Sequence, residues 1–350
     1  MCPVGSSKRL TKSVLDEESS ISAHGPLVDQ YGWHVRNVRV SVTDRCNFRC
    51  VYCMPEEMQF MPRAEVLTFE EITRVVRIVA AMGVNKVRLT GGEPLVRRDL
   101  PELVRQISAI EGIEDLAMTT NGILLPQLAT KLKAAGLHRM NVSLDSMDRD
   151  TFAELTRRDA LDKVLAGIDA ALDAGFTPLK INAVAMREST GNELLDFARF
   201  ARERPVIIRF IEFMPLDGDE RWSRDQILTG EEIVERIGAV YPLDAVPGRG
   251  SQPAQRYRFR DGKGEIGVIA TVTEPFCDSC DRIRLTADGK LRNCLFALDE
   301  TDLRVLLRGD ANDNAIAEAI KASVWSKWRG HLINQTEFTR PERSMSQIGG

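Results

Sequence analysis

Histidine is scarce: the 350 residues include only His24, His34, His138 and His331, and no two of them form a close ligand pair. A metal centre built from imidazoles is therefore not expected, and each histidine reads as structural or exposed. Long apolar runs are absent as well. None reaches the roughly 18 residues needed to cross a bilayer, and the first residues lack the apolar segment of a secretory signal, so the expected location is cytoplasmic. Nor is there an excess of positive charge. The 47 Lys and Arg against 51 Asp and Glu leave a net charge of −4, which gives no general attraction to nucleic acid or anionic membrane. An anionic ligand needs a local group of cations. What is present is a soluble globular composition, 43% hydrophobic and 28% charged, long enough for two or three domains and a sizeable core.

Six of the seven cysteines fall in two groups, which suits metal binding in a reducing compartment better than a disulfide framework. Cys2 is left over. Cys46, Cys50 and Cys53 have C-x3-C-x2-C spacing, with Tyr52 before the last cysteine. Structural zinc and closed iron–sulfur cubanes take four protein ligands. Three leave two readings: a zinc knuckle completed by a distant ligand, or a four-iron cluster with one iron open to a small molecule. Cys277, Cys280 and Cys294 read C-x2-C-x13-C. A zinc ribbon short of its fourth ligand competes there with a second cluster whose open iron orients a substrate. Arg282 and Arg284 follow at i and i+2, on one side of an extended strand. Two guanidiniums there suit a phosphate or a guanine edge.

The rest of the chain alternates strand and helix. Residues 1–30 are Ser-rich and charged without apolar periodicity, and read as a mobile extension. Strands are expected at 36–42, 86–90, 116–119, 139–144, 179–184 and 207–212. The helices between them lie near 68–82, 99–110, 126–135, 161–174 and 192–204. Thr68-Phe69-Glu70-Glu71 is a capping box that opens the first of these. Six such units imply a parallel sheet with right-handed crossovers, an open, partial (β/α)6 TIM-like barrel at residues 31–245. Active sites gather at the C-terminal ends of such strands. The first cysteine loop, Gly91–Pro94, Thr119–Gly122, Ser143 and Met214 all fall there. Lys180 sits within the fifth strand and Arg39 within the first, where a charge among apolar neighbours is costly without a partner. Residues 247–253 are rich in Gly and Pro and read as a linker. A C-terminal domain at 246–338 carries the second cysteine group, short strands at 255–259 and 265–272, and a helical end at 301–328. A flexible tail, 339–350, ends Gly349-Gly350.

The first cysteine loop resembles the signature of the radical S-adenosylmethionine (SAM) superfamily. With the second cysteine group, Gly91-Gly92-Glu93-Pro94-Leu95, Thr119-Thr120-Asn121-Gly122, Asn141-Val142-Ser143-Leu144-Asp145 and the terminal diglycine, the chain from about Arg36 to Gly350 resembles the GTP 3′,8-cyclase family of molybdenum cofactor biosynthesis. The resemblance implies a lyase with SAM and two [4Fe-4S] clusters. Cys46, Cys50 and Cys53 would hold the SAM-cleaving cluster, and Cys277, Cys280 and Cys294 the second, beside GTP. Gly92, Ser143, Met214 and the backbone at Tyr52 would contact SAM. Arg39, Lys86, Arg88, Thr119, Lys180, Arg282 and Arg284 would contact GTP, with Arg282, Arg284, Gly349 and Gly350 in the catalytic set. A radical formed from SAM would take the C3′ hydrogen of GTP and C3′ would close on C8. The expected partners are a flavodoxin or ferredoxin as reductant, cyclic pyranopterin monophosphate synthase as acceptor of the product, and a second copy in a homodimer. Two alternatives are a two-cluster radical SAM enzyme that modifies a peptide, disfavoured because such enzymes carry more C-terminal cysteines, and a non-catalytic zinc module.

Overall fold

The computed structural model describes residues 25–349. Residues 1–24 and Gly350 lie outside the described residues, and with them part of the expected extension and the last glycine of the catalytic set. Within residues 25–30, the remainder of that extension, Leu27 and Asp29 are buried while Gly25, Pro26 and Gln30 are exposed. Leu27 is buried and donates its backbone N–H to Met82 O at 2.8 Å, so apolar contact anchors the chain earlier than its polar composition suggested.

Six parallel strands follow the expected order: β1 (Asn37–Ser41), β2 (Lys86–Thr90), β3 (Asp115–Thr120), β4 (Arg139–Ser143), β5 (Leu179–Ala185) and β6 (Val206–Glu212). Each alternates. Val38, Val40, Val87 and Leu89 are buried toward the helices, while Asn37, Arg39, Lys86 and Arg88 turn to the other face. The helix Phe69–Ala81 begins at the predicted capping box, whose two bonds are both present: Glu71 N–H to Thr68 Oγ1 and Thr68 N–H to Glu71 Oε2. Ile72, Val75, Val76 and Val79 form its buried stripe.

The C-terminal residues extend the same sheet. β7 (Leu243–Val246), β8 (Gln255–Phe259), β9 (Glu265–Ile269), β10 (Arg282–Leu285), β11 (Lys290–Arg292) and β12 (Thr301–Asp302) join the same sheet, in the order β12-β11-β10-β1-β2-β3-β4-β5-β6-β9-β8-β7. β10 pairs parallel to β1 and β9 parallel to β6. The six-unit core is thus flanked by one more parallel strand on each side, and antiparallel strands finish both edges. Glu212, at the end of β6, locks one junction. Its carboxylate accepts bonds from the backbone N–H groups of Gly230, Val272 and Thr273 at 2.8–3.0 Å and from the Thr273 hydroxyl at 2.5 Å.

Other differences are local. The expected 301–328 helix is two, Leu303–Arg308 and Asp313–Trp325, interrupted at Gly309 and restarted by the Asn312 cap. A further helix, Gly230–Gly238, opens on a Thr229–Glu232 capping box that was legible but unread. The tail is held rather than loose. Arg343 bonds Asp288 and Glu300 at 2.8–3.1 Å, Met345 N–H donates to Leu216 O at 3.0 Å, and Ile348 is fully buried.

Candidate active site

The inner face of the sheet encloses one cavity of about 690 Å³. Register explains its charge. Arg284, Arg39 and Arg88 are consecutive neighbours across β10, β1 and β2, and Arg282, Asn37 and Lys86 form the next row. Thr119, Asn141 and Lys180 line up across β3, β4 and β5, and Asn182 faces Arg209 across β5 and β6. Alternation aims all of these at one volume.

Both cysteine groups open onto that volume. Cys46, Cys50 and Cys53 lie on the loop after β1; Cys277, Cys280 and Cys294 come from the segment around β10 and β11. All six are free thiols. Burial pushes Cys53 up to about 12 and Cys46 to about 11, and burial followed by Asp145 and the neighbouring thiols raises Cys50 well above the ordinary thiol value. Cys280 differs: burial raises it, but Arg282 and Lys327 outweigh that and bring it below the ordinary thiol value.

The first loop is packed with little tolerance. A β-carbon on Gly92 would stand 2.4 Å from Arg45 O, and one on Gly91 2.4 Å from Thr43 O. The glycines therefore let β2 meet the cysteine loop, a closer reason than the expected approach of a ligand. Glu93 ties this turn to β3, accepting from Leu95 N–H (2.9 Å), Thr120 Oγ1 (2.7 Å) and Asn121 N–H (2.6 Å). Burial raises its carboxyl to about 7. Tyr52 contributes its hydroxyl as well as its backbone, donating to Asp145 Oδ2 at 2.5 Å, while Asp145 Oδ1 accepts from Val184 N–H at 2.9 Å.

Of the residues expected in the site, the six cysteines, Tyr52, Gly92, Ser143, Met214, Arg39, Lys86, Arg88, Thr119, Lys180, Arg282 and Arg284 all line the cavity. Met214 also packs on the satellite core of Leu216, Ile227, Val272, Phe296, Ile333 and Ile348. Gly349 is buried behind the wall, with its carbonyl accepting from Arg284 Nη1 and its Cα beside Ser41. Arg209, Arg139, Asn182 and Asn37 were missed. Arg209 is 8% exposed and bonds Asn182 Oδ1 through Nε and Nη2. Its position in an apolar strand, like that of Lys180, was a usable signal. Burial, then repulsion from Arg88 and Arg139, lowers Arg209 to about 9; burial, then Arg209, Arg139, Arg88 and Arg256, lowers Lys180 to about 7. Burial and mutual repulsion both disfavour these charges, and a nearby anion would offset both.

Residues 40–201 match the Radical SAM superfamily and residues 206–333 match Molybdenum Cofactor Synthesis C. Among curated proteins, the chain is 48% identical over 330 residues to the GTP 3′,8-cyclase of Rhodopirellula baltica, covering 93% of this chain and 92% of that one. It is 47% identical over 328 residues to the GTP 3′,8-cyclase of Streptomyces coelicolor, covering 93% and 96%. Among solved structures, SuiB of Streptococcus suis bound to S-adenosylmethionine superposes with a TM-score of 0.59 at 14% identity, covering 84% of this chain and 69% of that one. That likeness concerns the fold.

Proposed function

The chain belongs to the GTP 3′,8-cyclase family, and from that membership we propose how its residues cyclise GTP to 3′,8-cyclo-7,8-dihydro-GTP, the first step of molybdenum cofactor biosynthesis. The observation that carries the reading is the single cavity shared by two three-thiol sets with a band of arginine and lysine between them. The thiols fit iron–sulfur clusters. They are unpaired, three to a group, and line one cavity; burial raises five of the six above the ordinary thiol value, and a cationic centre takes such groups as thiolates. Cys46, Cys50 and Cys53 would hold a [4Fe-4S] cluster with SAM, and Cys277, Cys280 and Cys294 would hold a second [4Fe-4S] cluster. Such groups would supply hydrogen-abstracting radical and one-electron chemistry.

The protein's own part is to hold, orient and exclude water. Arg39, Arg88, Lys180 and Arg209, with Lys86 and Thr119, receive the phosphates and ribose along the sheet face, where charge-assisted bonds in an enclosed site are strong. Arg282 and Arg284 face GTP beside the second thiol set, and the Arg284–Gly349 bond holds Gly349 against the same wall. Ser143, Met214, Gly92 and the Tyr52 backbone meet SAM. Fixing C3′ against C8 is the larger part of the catalytic task, since ring closure is a matter of orientation. A low-potential flavodoxin or ferredoxin supplies electrons, a cyclic pyranopterin monophosphate synthase consumes the product, and the enzyme acts as a homodimer. Peptide modification has only the fold likeness on its side.

The test uses anaerobically reconstituted protein, SAM, a low-potential reductant and GTP deuterated at C3′. Deuterium in 5′-deoxyadenosine, with conversion of GTP to a separable isomer, is the expected result. Deoxyadenosine free of deuterium would rule out abstraction from C3′.

A further inference from the structure

The Gly/Pro-rich stretch at residues 247–253 is more than a linker: Ser251, Gln252 and Pro253 line the cavity. Gly248 and Gly250 have φ of +78° and +57°, with open space where a β-carbon would stand. Glycine at both positions permits the bend that carries Arg249 between them. Arg249 makes no ion pair among the described residues. Its guanidinium carbon lies 5.0 Å from the ring centroid of Phe276, and that of Arg282 lies 5.0 Å from the same centroid. Phe276 itself lines the cavity and directly precedes Cys277. Arg282 has a buried Nε with no hydrogen-bond partner; its guanidinium is held on one side by the Cys280 thiol and on the other by this ring.

Resting on the reading of this cavity as a GTP site, we infer that Arg249 is a positioning residue for GTP, acting through Phe276 on Arg282. The ring's electron-rich faces attract both guanidiniums. Arg249 steadies the ring from the rim, and the ring holds Arg282 aimed into the cavity. The 247–253 stretch thereby contributes to the alignment of the nucleotide without touching it.

The experiment uses the full-length, cluster-reconstituted protein with SAM, titrated by calorimetry with GTP and, in parallel, GDP. The variants are Arg249→Ala, Arg249→Lys, Phe276→Leu and the Arg249→Ala/Phe276→Leu pair. Arg249→Ala is expected to weaken GTP binding about 2- to 5-fold, the size of one partly exposed cation–π contact. Arg249→Lys, which keeps the cation, should restore most of that. The double variant should bind no worse than Phe276→Leu alone, and GDP should lose the same factor as GTP. Arg249→Ala binding like the wild type, or single effects that simply add, overturns the relay through Phe276. A loss markedly larger for GTP than for GDP also overturns it, because that is the mark of direct contact with the terminal phosphate. Wild-type protein that binds no GTP would remove the underlying reading too, which separates the two failures.

Discussion

Arg39 and Arg284 stand directly opposite each other across the β1–β10 pairing, two guanidiniums side by side on the cavity wall. Burial, then Arg284, drives Arg39 well below the ordinary arginine value, and burial, then Arg282, lowers Arg284 to about 9. The pair is unfavourable in the empty protein and is relieved by an anion lying between its members.

That relationship gives opposite signs for stability and binding. Arg39→Met should raise the melting temperature of the cluster-free protein, since it removes a desolvated charge with a buried, unpartnered Nε. It should also weaken GTP binding about 10- to 100-fold, the range of a lost charge-assisted hydrogen bond. Differential scanning fluorimetry and GTP titration check both. A lower melting temperature would show that Arg39 is a structural residue.

Lys180 predicts proton uptake. With its amine at about 7 in the empty cavity, roughly half or more of the molecules carry it neutral at pH 7 to 8, and a triphosphate favours the charged form. GTP binding at pH 8 should therefore take up close to one proton at this site. Calorimetry in buffers of different ionisation enthalpy reads it directly, and Lys180→Arg should abolish that component. The same shift has a stability consequence. The folded value lies below the unfolded one, so the unfolded chain binds more protons between about 7 and 10.5, and this residue's contribution to stability rises with pH across that window.

Gly92→Ala tests the packing of the first cysteine loop. The added carbon would meet Arg45 O at 2.4 Å and Asp44 O at 2.6 Å, both backbone atoms that cannot yield without moving the loop. Reconstituted Gly92→Ala protein should lose iron and SAM binding at the first thiol set while retaining the second, lowering iron content to about half. Undiminished iron with normal SAM affinity would contradict this account.

Arg343→Ala tests what seats the tail. Arg343 joins Asp288 and Glu300 at half-buried positions, and breaking such a pair costs about 1–3 kcal/mol or more. Limited proteolysis should cut residues 339–349 much faster in the variant, and turnover should fall at least several-fold, with little change in the melting of the sheet.

The chemistry was written in short spacings and was therefore legible: two cysteine groups, the glycine turn, and cations inside otherwise apolar strands. The six strand–helix units were legible because alternation and capping boxes are local. Arg209 and Asn182 escaped notice because their partnership is set by register between β5 and β6, which no single segment announces. The strands at 265–272 and around Arg282–Arg284 were legible, but their places in the sheet were not, since β9 and β10 are located by pairing with β6 and β1. The tail looked disordered by composition because the residues that hold it, Asp288 and Glu300, lie far away in sequence.

The pairing of β10 with β1 also sets an order of assembly. On the ribosome the first cysteine loop and β1 emerge early, but Arg284 and the second thiol set emerge only near the end of synthesis, and the tail that bonds Arg284 comes last. The nascent chain therefore carries an unfinished sheet edge and an exposed set of thiols through most of its translation. Iron loaded at the first site before that edge is closed would face solvent and oxygen, so the fold favours chains that receive their metal after release.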